Sequence, residues 1–237
     1  GFPDSYLAGD DEESFALRKD FIRTYLERDV PMFGPRIPAE TLGRLWTMLA
    51  HGQGTLLNAS RLAVNLSVSA QTATRYIDLL ADLLLVRRLP PHHANLDKRL
   101  VKSPKVYVRD SGLLHALLGV QHLDGLFGHP VVGMSWEGFV IENLLAASPD
   151  RTRATFYRTT AGAEIDLLLE LPSGSLWAVE IKLGSSPKCE KGFYNALADI
   201  CPDRAFVVYS GTTRYPVSER VEAIGLEGLI AELSRES

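Results

Sequence analysis

Apolar positions recur at helical spacing through the first third of the chain. Between Glu13 and Asp29, residues Phe15, Leu17, Phe21, Ile22, Tyr25 and Leu26 fall on one side of a 3.6-residue period, which predicts a helix closed by Pro31. Asp10, Asp11, Glu12 and Glu13 suit its start, where unpaired N–H groups favour negative charge. A second helix is expected from Pro38 to about His51, carrying Leu42, Leu45, Trp46 and Leu49. Asn58 can cap a third, Ala59 to Asn65, and Ser69 a fourth, Ala70 to Leu84, with Leu66, Ser67 and Val68 as the tight connection. Val86 to Leu89 then reads as a strand entering a hairpin, with Lys105 to Val108 as its return. Two helices joined by a short turn and followed by a hairpin predict a winged helix-turn-helix.

The pattern changes in the second half. A short apolar helix at Gly112 to Gly119 and a loop at Gly125 to Gly133 lead to a helix from Met134 to Ala147. Strands follow at Ala154–Tyr157, Glu164–Leu171 and Leu176–Leu183. A helix from about Pro187 to Asp199, strands at Arg204–Tyr209 and near Val221–Ile224, and a helix at Leu226–Leu233 complete an α/β (α+β) unit. The expected division is a helical segment at 1–53, the winged helix at 54–119 and the α/β domain at 120–237.

The chain has 237 residues, 46% of them hydrophobic and 23% charged, which excludes a disordered or fibrous protein. Two cysteines, Cys189 and Cys201, exclude a disulfide scaffold and point to a reducing, cytoplasmic setting. Apolar runs such as Leu79 to Val86 are short and broken by Asp82, so no membrane partner is expected. The net charge of -4 argues against nucleic acid until it is divided: Gly54 to Asp110 holds nine Lys and Arg against four Asp and Glu, +5 inside a chain whose remainder is -9. On a docked winged helix, Gln71, Thr72, Thr74 and Arg75 would meet bases, and Arg87, Arg88, Lys98, Arg99 and Lys102 would meet phosphates. The competing expectation is a three-helix unit that docks only on protein.

The strand Glu164 to Leu169 alternates, placing Glu164 and Asp166 on one face and Ile165, Leu167 and Leu169 on the other. On the next strand Ala178, Glu180 and Lys182 share a face. The turn-rich Pro172-Ser173-Gly174-Ser175 predicts an antiparallel hairpin that brings Asp166 near Glu180. Two carboxylates suit Mg²⁺, a hard cation that keeps part of its water shell, and Lys182 beside them could hold or help deprotonate an attacking water. An isolated Glu-x-Lys is a common pattern of a solvated strand face; Asp166 on the paired strand and Glu137 on the preceding helix single this one out.

Glu137 within Trp136-Glu137-Gly138, Asp166, and Glu180-Ile181-Lys182 occur in the order and on the elements of the PD-(D/E)xK nuclease superfamily, which this region resembles, with Ile165 in the place of the superfamily's proline. The resemblance implies Asp166, Glu180 and the Ile181 carbonyl as ligands of Mg²⁺ or Mn²⁺, Lys182 as the catalytic lysine, and Glu137 as a supporting acid. The whole chain also resembles the C-terminal region of a family of prokaryotic AAA-type ATPases. Tyr25-Leu26-Glu27-Arg28-Asp29, Ser69 to Tyr76, Lys105 to Leu113 and Phe156-Tyr157-Arg158 carry that likeness. It implies an N-terminal ATPase domain before Gly1, since no G-x-x-x-x-G-K-[ST] is present, so that ATP would act only there. DNA and that ATPase domain are the implied partners, with homo-oligomerisation left open. The implied function is a DNA-binding, nuclease-like part of the ATPase, active as a Mg²⁺-dependent deoxyribonuclease or catalytically silent; the alternative is an inactive domain coupling the ATPase to a protein partner.

Overall fold

A computed structural model describes residues 3–33, 37–93 and 100–236. The chain divides into two compact units, Gly1–Arg88 with Val106–Gly138, and Leu89–Lys105 with Phe139–Ser237. The boundary between these compact units falls inside a helix, between Gly138 and Phe139. Residues 89–105, expected as the tip of a wing, belong to the second unit. Backbone hydrogen bonds explain why: Phe156 N–H donates to Pro90 O at 3.0 Å, His92 N–H to Phe156 O at 2.6 Å, and Val101 N–H to Arg158 O at 3.0 Å. At Pro90–His92 and Leu100–Val101 the chain covers an edge strand that would otherwise present unpaired groups.

In the first unit, α1 (Pro3–Tyr6) precedes α2 (Asp11–Thr24), whose cap is Asp10 accepting from Glu13 N–H. Pro31 does not end this helical stretch. Tyr25–Asp29 forms a π-helical turn, Val30 N–H bonding back to Tyr25 O, and α3 (Val30–Phe33) continues through the proline. The wider turn has already broken the i→i−4 ladder, so the missing proline donor costs little there.

Helices α4 (Ala39–His51), α5 (Ala59–Leu66) and α6 (Ala70–Asp82) follow, with Asn58 accepting from Arg61 N–H and Ser69 from Thr72 N–H as the caps require. Trp46, Leu45, Ile77 and Leu80 are fully buried at their centre. Strands β1 (Val86–Leu89) and β2 (Lys105–Val108) pair in a two-stranded sheet. Buried Gln53 accepts from Val108 N–H at 2.7 Å, an amide side chain taking the place of a neighbouring strand. Asp110 caps α7 (Ser111–Leu117), and α8 (Leu123–Phe127) stands in the expected loop before α9 (Val132–Ala147).

The second unit holds β3 (Arg153–Arg158), β4 (Glu164–Glu170), β5 (Leu176–Ile181), α10 (Lys191–Ile200), β6 (Arg204–Tyr209), β7 (Tyr215–Ser218), β8 (Val221–Gly225) and α11 (Leu226–Leu233). The sheet order is β3-β4-β5-β6-β8-β7. β3, β4 and β5 form an antiparallel meander, and β5, β6 and β8 run parallel. Leu167, Leu168 and Leu169 are all fully buried, so both faces of β4 are covered. β7 was not legible: it is four residues long and contains Pro216, which only an edge strand accommodates.

Strict alternation fails in β4. Tyr157 pairs with Ile165 but Thr155 with Leu168, so two steps on β3 oppose three on β4. Across this β-bulge Ile165 and Leu168 both enter the core that includes Phe193 and Ala196 of α10, and the expected grouping of Ile165 with Leu167 and Leu169 is corrected accordingly. Asp166 sits within the bulge.

His115 in α7 bonds Ser135 Oγ through Nε2 at 2.8 Å. Burial, with help from the Arg18 charge and against that of Asp110, lowers its pKa to about 4. The folded state then excludes a proton that the unfolded chain takes up below about pH 6.5. Stability present above that pH is lost as pH falls toward 4, by on the order of 2 kcal/mol after allowance for partial exposure. Denaturant unfolding of wild type and His115→Gln at pH 7.5 and 5 checks this: the variant should lose less on acidification, and equal losses contradict the assignment.

Candidate active site

The β4–β5 hairpin closes on the turn before Ser175, where Gly174 takes φ +86°, a conformation that favours glycine. At its open end the last paired residues are Leu167 and Val179. Asp166 and Glu180 stand one position beyond on each strand. There a side chain continues the ladder: Ile181 N–H donates to Asp166 Oδ2 at 2.9 Å. The bulge supplies the extra backbone that lets the carboxylate reach this position.

Glu180 is 6% exposed in the middle of the sheet. Its Oε1 meets Lys182 Nζ at 2.8 Å, whereas Oε2 is buried with no hydrogen-bond partner among the described residues. Burial, then the Asp166 charge, pushes its pKa up to about 8, with Lys182 pulling the other way. Burial opposes the Lys182 charge most strongly, but the bond to Glu180 together with the charges of Glu180, Asp166 and Glu190 outweighs it and the lysine pKa is raised. Lys182 lies just past the end of β5, its N–H bonded to Val208 O at 2.9 Å, which fixes the backbone below the ammonium.

A second lysine reaches the same carboxylates. Lys105 is 3% exposed, with Nζ 3.0 Å from Glu164 Oε1, 3.6 Å from Asp166 Oδ1 and 5.5 Å from the Phe156 ring centroid. Sequence reasoning did not single it out; the available signal was a lysine opening the otherwise apolar Lys-Val-Tyr-Val. Arg158 Nε pairs with Glu164 at 3.6 Å.

Glu137 is buried and accepts from the Tyr107 hydroxyl. Tyr107 and Glu137 belong to the first unit, whereas Asp166, Glu180 and Lys182 come together within the second. Among the described residues, no three or more His, Cys, Asp and Glu side chains group to hold a metal ion. A cation here would rest on Asp166, Glu180, a backbone oxygen and water. The orphaned Glu180 Oε2 fits that donor set, which suits Mg²⁺ and not tetrahedral Zn²⁺.

Of the expected DNA contacts, Gln71, Thr74 and Arg75 are exposed on α6, while Thr72 is half-buried and its N–H and hydroxyl are bonded to Ser69. Arg87 is half-buried, and Arg88 is held by Asp78 of α6. Lys98 and Arg99 lie outside the described residues. Lys102 is exposed in the segment that follows β3 in the second unit. Among the described residues, no helix is long and apolar enough to cross a membrane.

Residues 1–124 match the family model described as Domain of unknown function (DUF8612), and residues 132–229 match Domain of unknown function (DUF4143). The chain is similar to the uncharacterized proteins Mb2031c of Mycobacterium bovis and Rv2008c of Mycobacterium tuberculosis, each 44% identical over 233 residues, 97% of this chain and 52% of the relative. It thus spans about half the length of these curated relatives. No solved structure gives a significant match.

Asp166 has two separable duties, accepting from Ile181 N–H and balancing Lys105. Asn keeps an acceptor; Ala removes it and strands a buried donor. Urea unfolding should show Asp166→Ala less stable than Asp166→Asn by about 1–3 kcal/mol. Equal stabilities contradict the Ile181 contact.

Proposed function

The chain belongs to the family described as Domain of unknown function (DUF8612), and from that starting point we propose that it is a DNA-binding protein whose second unit is a PD-(D/E)xK nuclease-like fold hydrolysing phosphodiesters with Mg²⁺ or Mn²⁺. The observation that carries this reading is the buried, unpartnered Glu180 Oε2 beside Asp166, with Lys182 at 2.8 Å from the other oxygen. Burying a carboxylate oxygen without a partner is costly, and a hard cation removes the cost.

Asp166, Glu180 and the Ile181 carbonyl would hold the ion. When bound, it supplies positive charge to a phosphate oxygen and acidifies a water. Ile181 N–H fixes Asp166, so the ligand needs little rearrangement. Lys182, half-buried and anchored on Glu180, holds the attacking water and stabilises charge growing on the phosphate.

The first unit serves as a winged helix that offers Gln71, Thr74 and Arg75 at the start of α6 to DNA. Cytoplasmic nucleotide chemistry would lie elsewhere in a longer AAA-type ATPase; the curated relatives carry about as much sequence again as this chain matches.

One observation favours a second reading. Arg88 is paired with Asp78, which withdraws a cation from a phosphate-binding surface. On that reading the first unit docks on a protein.

Supercoiled, linear and single-stranded DNA incubated with the chain and Mg²⁺ or Mn²⁺ separates the readings. Cleavage should stop with EDTA and fall at least about 100-fold in Glu180→Gln and Lys182→Met, with circular dichroism unchanged. Absence of both cutting and binding for every DNA form contradicts the nuclease-like reading, and full activity in Glu180→Gln contradicts the site. DNA affinity that drops steeply with salt supports phosphate contact; salt-insensitive binding supports docking.

A further inference from the structure

Lys105 makes the carboxylate cluster unusual. Its ammonium is withdrawn from water, with the side chain 4% exposed, and a buried ammonium persists only where opposite charge compensates its desolvation. Glu164, at 3.0 Å, and Asp166, at 3.6 Å, supply such charge. The Phe156 ring face, 5.5 Å away, adds a weaker attraction. Lys105 comes from β2, far in sequence from both acids, so its position is set by tertiary structure and not by a local helix or strand pairing.

The oxygens are divided unequally. Asp166 Oδ2 is taken by Ile181 N–H and Oδ1 faces Lys105; Glu180 Oε1 is taken by Lys182, and only Glu180 Oε2 is buried without a partner. Glu164, Asp166 and Glu180 carry three negative charges when ionised, and Lys105, Lys182 and Arg158 carry three positive ones within 4 Å of them. One divalent ion brings the cluster to a net +2, which a phosphodiester and water can meet. A second divalent ion on the Glu164 side would have to occupy the space the Lys105 ammonium already fills.

We propose that Lys105 is a resident cation on the Glu164–Asp166 side of the cluster, a positioning residue that restricts the site to one divalent ion, held between Asp166 and Glu180. This rests on the metal-dependent reading above. Lys105 fixes Asp166 from one side as Ile181 N–H fixes it from the other, and by its charge it lowers the affinity of the empty site, so that metal and anionic substrate bind cooperatively.

Titration with Mn²⁺, followed by the loss of the free-ion paramagnetic resonance signal, reads stoichiometry without reference to activity. Wild type should bind one ion. Lys105→Met should bind at least about tenfold more tightly or take a second ion, and Lys105→Arg should resemble wild type. The melting temperature of Lys105→Met should also rise more on Mn²⁺ addition than that of wild type. If Lys105→Met does not fold, Glu164→Gln serves instead: with the carboxylate 3.0 Å away neutralised, the ammonium bears more strongly on Asp166 and Mn²⁺ affinity should fall about tenfold. Wild type binding two ions, or one ion with equal affinity in wild type and the readable variant, overturns the role of Lys105 while leaving the metal site standing. No Mn²⁺ binding to wild type or variant overturns the metal-dependent reading itself, and this proposal with it.

Discussion

Two carboxylates are buried at the open end of the β4–β5 hairpin, and their desolvation is the constraint around which the second unit is arranged. A sheet covered on both faces is a poor place for charge. Asp166 is stabilised by a backbone N–H and by Lys105, and Glu180 by Lys182 on one oxygen only. The bulge in β4, the end of β5 at Ile181, and the burial of Lys105 are the local features that make these contacts reachable.

The same constraint separates structural from chemical charge. Arg204, for example, lies over Trp177 and Phe206 and bonds Glu232, a pairing at the edge of the core that leaves no carboxylate oxygen orphaned. At Glu180 the compensation is incomplete. An oxygen left without a partner in a rigid sheet is a preorganised place for a hard cation, because the protein has already met the cost of orienting it.

Much of the fold was legible because it rests on local rules. Asn58 and Ser69 cap α5 and α6, the Pro172–Ser175 turn joins β4 to β5, and Arg204–Tyr209 is a strand as its apolar run indicated. Pro31 misled because a π-helical turn relieved it, and Pro216 because an edge strand tolerates it. The site was half legible. Alternation and the hairpin brought Asp166 to Glu180, but the bulge that sets Asp166 depends on pairing with β3, which periodicity cannot show. Lys105 was invisible for a related reason: it meets Glu164 across 59 positions of sequence, and the return strand of a presumed wing gave no hint that its first residue belongs with the other unit.

In the proposed reading Asp166 and Glu180 together form one cation site completed by backbone and water. An anomalous-scattering map from crystals soaked in Mn²⁺ tests it most directly. A single peak coordinated by Asp166 and by Glu180 Oε2 is the predicted result; a map with no peak there, or with Mn²⁺ bound only at other carboxylates, contradicts it.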